Sequence, residues 1–129
     1  MTASEIVEAF WQQVWNEHDP EAVDRFVVPD FVITTAGDDI VGRDAFKAWI
    51  RALLAELPDL RLDVVETFEN AAGTRVASRW RVSGTNNGYL PSAAIGAPIT
   101  FTGTAVWEVR DGKLAHNWVE RSAARVVGG

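Results

Sequence analysis

The spacing of apolar residues changes once along this chain, and that change constrains the fold more than any other feature. Up to Leu57, apolar side chains recur every three or four residues, as they do on one face of a helix. From Leu60 onward they recur at every second residue, as on one face of a β-strand. Helices therefore come first and long strands follow, which indicates an α+β protein with its helices on one side of a mainly antiparallel sheet.

Three N-terminal helices are predicted. Thr2 opens a capping box, which satisfies free backbone N–H groups at the start of the first helix. Asp19 caps a short second helix with Pro20 at its first position, and we expect Pro29 to end that helix. The third helix carries a long apolar stripe of Phe46, Trp49, Ile50, Leu53, Leu54 and Leu57.

A short strand is predicted at 31–35, and four longer alternating segments follow the third helix. Residues 86–98, rich in Asn, Gly, Pro and Ala, are expected to form a loop, and Asp111-Gly112 is typical of a tight hairpin turn. The residues from 123 onward carry no pattern. We therefore expect three helices packed on a strongly curved sheet, forming a cone with one pocket at its open end.

Length and charge limit the classes of protein. The 129 residues have room for one domain, which we expect to span 1–129. The net charge of −6 argues against nucleic acid and polyphosphate partners, because phosphate binding needs clustered Lys and Arg. No apolar run approaches the roughly 20 residues of a membrane helix, no signal-peptide pattern is present, and cysteine is absent. A cytoplasmic protein without membrane contact is expected.

Several short motifs occur in an order that is typical of one family. They are Trp15-Asn16-Glu17-His18-Asp19-Pro20, Pro29-Asp30-Phe31, Gly42-Arg43-Asp44-Ala45-Phe46, Ser83-Gly84-Thr85, and Asp111-Gly112-Lys113-Leu114 followed by Trp118. With this set the chain resembles the SnoaL-like polyketide cyclases of the nuclear-transport-factor-two-like superfamily, over nearly its whole length. The resemblance implies a cavity for a small hydrophobic molecule, acid–base chemistry by side chains, no cofactor or metal, and homodimers through the outer sheet face.

The chain departs from this family where the chemistry usually resides. In SnoaL-like cyclases the acid–base aspartate follows the motif tryptophan by four positions, and here that position is Ser122. Many relatives have a histidine where this chain has Asn86. The positions that resemble the base and acid of steroid isomerases hold Thr35 and Ala105. Neither mechanism therefore transfers directly to this chain.

Alternation along the last strand selects other candidates. Counted from Leu114, one face carries His116, Trp118, Glu120 and Ser122, and we predict that this face points into the pocket. Glu120 is the leading candidate for a catalytic acid or base, because apolar surroundings raise the pKa of a carboxyl group. The alternative is a solvated Glu120 at the end of its strand. His116 can assist as a proton carrier, or it can be a half-buried histidine bonded across the sheet.

The remaining candidates surround the predicted pocket. Asn86 and Tyr89 lie in the loop and are expected to bind a ligand oxygen, although Asn86 can instead satisfy its own loop backbone. Predicted ligand contacts also include Trp11, Trp15, Trp80, Trp118 and Ser122. We assign His18 to a structural turn and expect no metal site, because the two histidines lie in different elements.

Two functions stay open. The first is a cofactor-independent isomerase, cyclase or hydrolase that acts on a small hydrophobic ring compound, with Glu120 and His116 as acid–base groups. The second is a binding or association domain that has kept the cone and lost the chemistry, which the residues Ser122 and Asn86 favour.

Overall fold

The first helix begins where the sequence predicts, in a computed structural model that describes residues 1–128. The hydroxyl of Thr2 accepts a hydrogen bond from the Glu5 N–H, and the Glu5 carboxylate accepts one from the Thr2 N–H. This capping box starts helix α1 (Ala3–Phe10), which continues as a π-helical segment over Trp11–Asn16. Trp11 and Trp15 are both buried in that segment.

The second helix is a 3₁₀ helix at Pro20–Arg25, with the Asp19 carboxylate accepting from the Glu21 N–H. It ends earlier than predicted, because Pro29 does not terminate it but lies inside strand β1 (Val27–Thr35). The pairing of β1 with its parallel neighbour is interrupted between Val27 and Val32. Pro29 therefore sits where no backbone N–H is needed for the ladder, which is where a strand tolerates proline.

One curved, mixed sheet forms the rest of the described chain. The other elements are β2 (Asp38–Val41), helix α2 (Arg43–Glu56), β3 (Arg61–Glu69), β4 (Arg75–Thr85), β5 (Pro98–Arg110), β6 (Lys113–Arg121) and β7 (Arg125–Val126). The strand order is β2-β1-β6-β5-β4-β3, with β7 paired to β5, and the β1–β6 pair is parallel. The sheet does not close, and three helices pack on it, so the predicted α+β cone is confirmed.

The face of the sheet that meets the helices is apolar, as the alternation predicts. On β5 the residues Ile99, Phe101, Ala105, Trp107 and Val109 are buried. The ring of Phe10 from α1 packs edge-on against Trp107, with ring centroids 5.1 Å apart. Aromatic contacts of this kind add to the stabilisation that apolar burial gives. Helix α1 is thereby fixed across the middle of the sheet.

A β-bulge in β6 overturns the predicted orientation of the last strand. Val109 pairs with Leu114, and the preceding residue of β5, Glu108, pairs with His116, so Ala115 is an extra residue without a partner. An extra residue shifts the alternation of side chains by one position beyond it. Leu114 is buried as predicted, but the inward residues that follow the bulge are Asn117, Val119 and Arg121.

The prediction that His116, Trp118, Glu120 and Ser122 point into the pocket is therefore wrong. His116, Trp118 and Glu120 lie on the outer face of the sheet. Ser122 follows the end of β6, is exposed, and accepts a hydrogen bond from the Thr102 N–H at 2.9 Å. The sequence alternation is correct within each half of β6 and fails only across the bulge.

Candidate ligand cleft

A cleft opens between the helices and the inner face of the sheet. Its free interior measures about 30 Å³, enough for roughly two water molecules and far below the roughly 300–1,000 Å³ of small-molecule sites, so a larger ligand requires the surrounding side chains to move apart. Its wall contains five of the six tryptophans, namely Trp11, Trp15, Trp49, Trp80 and Trp107. Of the tryptophans predicted to contact a ligand, Trp11, Trp15 and Trp80 lie in this wall and are also part of the apolar core.

The shape of the cleft depends on Gly103. This residue lies directly across β4–β5 from Trp80 and directly across β5–β6 from Arg121. The six-membered ring of Trp80 covers the position where a side chain of residue 103 would stand. The absence of a Cβ at Gly103 therefore lets the indole lie flat against the sheet, where it forms part of the cleft wall.

Three buried polar atoms beside the cleft have no hydrogen-bond partner within residues 1–128. They are the indole nitrogens of Trp80 and Trp107 and the side-chain oxygen of Asn117. Asn117 pairs directly with Trp107 across β5–β6, so two of these groups are neighbours. An unsatisfied buried polar group costs about 1–3 kcal/mol. Such groups are rare in folded proteins, and three of them around one space call for an explanation.

Among the described residues, Arg121 is the only cationic one that lines the cleft. It is partly buried, it donates a hydrogen bond to the Thr35 hydroxyl, and its guanidinium carbon stands 5.1 Å from the ring centroid of Trp49. Burial lowers the pKa of Arg121, while the nearby charge of Glu120 acts in the opposite direction. The guanidinium still carries its charge at neutral pH, because its ordinary pKa lies so high.

Tyr89, a predicted ligand contact, does not itself line the cleft but packs on Phe101, which does. Its ring stacks on Phe101 with centroids 5.0 Å apart and planes 9° apart, and it is partly buried. Burial raises the pKa of the Tyr89 hydroxyl, and the positive charge of Arg121 partly offsets this effect. The hydroxyl is therefore protonated at neutral pH and available as a hydrogen-bond donor.

Asn86 does not make the ligand contact that the sequence predicts, because it lies outside the cleft lining. Its side-chain N–H groups point to the carbonyls of Leu90, Ala93 and Ala94 at 3.0–3.2 Å, and its oxygen accepts from the Leu90 N–H at 2.9 Å. Asn86 is fully buried and does not line the cleft. Its amide is occupied by the backbone of its own loop, which is the alternative that the sequence left open.

The two predicted acid–base residues do not reach the cleft. Glu120 is exposed on the outer face. The His116 ring forms a hydrogen bond of 2.8 Å with the Thr34 hydroxyl across β1–β6 and stacks on Trp118 with centroids 3.8 Å apart. The hydroxyl of Thr34 in turn donates to the Asp39 carboxylate. Within the described part of the chain, the residues that line the cleft include no carboxylate and no imidazole.

Sequence reasoning missed Asn117, Arg121 and Trp49. Trp49 lies on the apolar stripe of α2 and forms an edge-to-face pair with Trp15 at 6.0 Å. Asn117 and Arg121 were placed on the outer face because the bulge at Ala115 was not recognised. Both residues belong to the predicted last strand, so the sequence predicts their strand correctly and only the direction of their side chains wrongly.

Other assignments concern residues outside the cleft. The His18 ring bonds to the Leu60 carbonyl at 2.7 Å, and its backbone φ is 55°, which agrees with a structural turn. Within the described 128 residues, no cluster of His, Cys, Asp or Glu is arranged to hold a metal ion. The same part of the chain has no helix long and apolar enough to cross a membrane.

Sequence comparison decides the family. The family model of the SnoaL-like domain matches residues 7–117. The chain belongs to the SnoaL-like family. The matched segment contains α1 except its first four residues, the helices that follow, the first five strands and β6 as far as Asn117, so the cleft is built almost entirely from the SnoaL-like domain. Among curated proteins, none matches this chain.

Solved structures share the SnoaL-like fold over nearly the whole chain. A SnoaL-like polyketide cyclase from Agrobacterium tumefaciens is 19% identical with a TM-score of 0.80, over 95% of this chain and 92% of its own. IdmH from Streptomyces antibioticus, a proposed polyketide cyclase, is 23% identical with a TM-score of 0.79, over 95% and 93%. A proposed polyketide cyclase from Xanthomonas campestris is 25% identical with a TM-score of 0.76, over 92% and 88%.

Proposed function

We propose that the cleft of this SnoaL-like protein binds a small, mostly apolar ring compound that bears polar atoms. The observation that carries this proposal is the group of unpartnered polar atoms on Trp80, Trp107 and Asn117. The two indole N–H groups are donors, and the amide of Asn117 can both donate and accept. A ligand with a carbonyl or hydroxyl group would complete these hydrogen bonds, while its ring packs against the tryptophan walls.

A cofactor-independent cyclase or isomerase reaction is the second candidate. The SnoaL-like family match favours it, and so do the polyketide cyclases among the similar structures. Among residues 1–128, the cleft lining holds no carboxylate or imidazole that could act as a base. The protein's contribution to such a reaction would be to stabilise a developing oxyanion through Arg121. The geometry therefore supports binding more directly than proton abstraction.

Replacing Asn117 with leucine tests the binding proposal. We expect N117L to raise the free energy of unfolding by about 1–2 kcal/mol, because a buried amide without a full set of partners is replaced by an apolar group of similar size. We expect the same variant to bind 2-naphthamide about tenfold more weakly than the wild type, since the ligand loses a hydrogen bond. Denaturant unfolding measures the first effect, and quenching of tryptophan fluorescence measures the second.

The matched control is Ser78→Ala. The Ser78 hydroxyl is also buried without a partner among the described residues, but Ser78 does not line the cleft. S78A should be at least as stable as the wild type and bind 2-naphthamide equally well. Trp118 lies outside the cleft, so W118F should retain the ligand-dependent quenching. Absence of any quenching in the wild type, together with unchanged stability of N117L, would contradict the proposal.

We also propose that the outer face of the sheet forms a homodimer interface. One row of side chains runs straight across five strands of that face, through Phe68, Ala77, Val106, Trp118 and Thr34. Phe68 is 57% exposed and Trp118 is 37% exposed, so the row offers a partly exposed and mainly apolar strip. A twofold axis through such a strip would bury it against its own copy.

Trp118→Glu tests this interface. A charge in the centre of the strip should shift the protein from dimer to monomer, because an unpaired charge is costly to bury. Sedimentation velocity at several protein concentrations measures the change. Ile95→Glu is the control, since Ile95 is 70% exposed and lies in the loop rather than in the strip. A monomeric wild type, or a dimer that W118E leaves intact, would refute the interface.

A further inference from the structure

Arg121 places a positive charge in a cleft whose other described lining residues are uncharged. The preceding inward residue of β6 is Val119, and Gly103 lies opposite Arg121 on β5. Neither Val119 nor Gly103 carries a charge. No carboxylate within residues 1–128 forms an ion pair with this guanidinium. A partly buried cation without a counterion is costly, and proteins normally pair such a charge.

The known contacts of Arg121 leave most of its binding capacity unused. A guanidinium has five N–H donors, and the structure accounts for one of them, in the bond to the Thr35 hydroxyl. The face of the guanidinium that rests on Trp49 is held in place by that ring. Contacts to a hydroxyl and an aromatic ring orient the group without neutralising it. Its remaining donors are therefore suited to an acceptor that enters through the cleft.

No carboxylate of the described chain forms an ion pair with Arg121, which favours an anion that a ligand brings into the cleft. Glu120 is the next residue in β6, but it is exposed on the opposite face of the sheet. The charge of Glu56 influences Tyr89, yet Glu56 does not form an ion pair with Arg121 in the described chain. Tyr89 is near enough for the charge of Arg121 to act on its hydroxyl, but Tyr89 supplies no negative charge at neutral pH.

We propose that the ligand of this cleft is an organic acid, namely a ring compound with a carboxylate that Arg121 binds in a bidentate manner. The ring lies between the tryptophan walls, and the carboxylate lies against the guanidinium of Arg121. A guanidinium matches the planar geometry of a carboxylate. This inference rests on the proposed binding function and adds the chemical class of the ligand.

The test compares two probes of the same shape, 2-naphthoate and its neutral amide, 2-naphthamide. We expect the wild type to bind 2-naphthoate at least about tenfold more tightly than 2-naphthamide. In Arg121→Gln this preference should fall to about one, while affinity for 2-naphthamide stays within about twofold. Binding of the amide thereby reports that the cleft of the variant is intact. Arg121→Lys should keep part of the preference, because it retains the charge but lacks the planar fork.

Arg125→Gln is the matched control, because it removes the same charge from an exposed position on β7 that does not line the cleft. R125Q should keep the full preference for the acid. Equal binding of both probes by the wild type, or an unchanged preference in R121Q, would overturn the organic-acid inference and leave the binding proposal standing. Failure of the wild type to bind either probe would refute the binding proposal and this inference with it.

Discussion

Replacing Gly103 with alanine is expected to lower the free energy of unfolding by about 3 kcal/mol and to change the shape of the cleft. A Cβ atom at this position would stand 2.2 Å from Cη2 of Trp80 and 2.5 Å from Cζ3. Real Cβ atoms do not approach other atoms so closely, so the indole must move. Because Trp80 is only 5% exposed, its ring has to displace packed neighbours. Denaturant unfolding measures the loss of stability.

Gly84→Ala provides the comparison for this prediction. Gly84 lies in β4, and its added Cβ would meet Leu57 at 3.2 Å, a contact that a small side-chain movement relieves. We expect G84A to cost less than about 1 kcal/mol. A double-mutant cycle with Trp80→Leu isolates the cause, because removing the indole should remove most of the effect of G103A. Fully additive effects of G103A and W80L would show that the Trp80 ring is not responsible.

Asn86→Ala is expected to destabilise the protein by about 3 kcal/mol, through the loop that follows β4. The substitution leaves the Leu90 N–H and the carbonyls of Leu90, Ala93 and Ala94 without their side-chain partner. Each buried backbone group that loses its partner contributes about 1 kcal/mol or more. Hydrogen exchange at the Leu90 amide should accelerate beyond what the change in global stability explains.

The neighbouring residue gives a control in the same loop. Asn87 is exposed, and its side chain donates one hydrogen bond to the Ala55 carbonyl at 2.9 Å. Asn87→Ala should cost no more than about 1 kcal/mol. Asn86→Asp should be as damaging as N86A, since a carboxylate cannot donate to the carbonyls that surround it. A change of less than about 1 kcal/mol in N86A would contradict the role we assign to this amide.

Local patterns predicted the parts of the fold that local interactions determine. The capping box at Thr2 needs only residues three positions apart, and the alternation of β5 follows from the pleat of one strand. Asn86 shows the limit of this approach, because its residue type suits both a ligand contact and a loop. The choice depends on where the carbonyls of the loop come to lie, and nothing local in the sequence fixes their positions.

The orientation of the site residues on β6 depends on Ala115, and the sequence pattern does not show that this residue forms a bulge. Leu114 and Ala115 are both apolar and both buried, so the sequence does not reveal which of them continues the alternation. The partner strand decides this, because Ala115 is the residue for which β5 offers no pair. The sequence thus predicted the strand and its candidate residues, whereas their orientation came from pairing with a distant segment.

The bulge at Ala115 also has a consequence for how proteins of this shape can diverge. The outward side of β6 holds an imidazole and a carboxylate, on His116 and Glu120, and the inward side holds an amide and a guanidinium, on Asn117 and Arg121. If the bulge were lost while Ala115 remained and paired with Glu108, these two sets would be exchanged between surface and interior. In a relative of this shape, the pairing of β5 with β6 therefore decides whether the interior carries groups for proton transfer or groups for holding an anion.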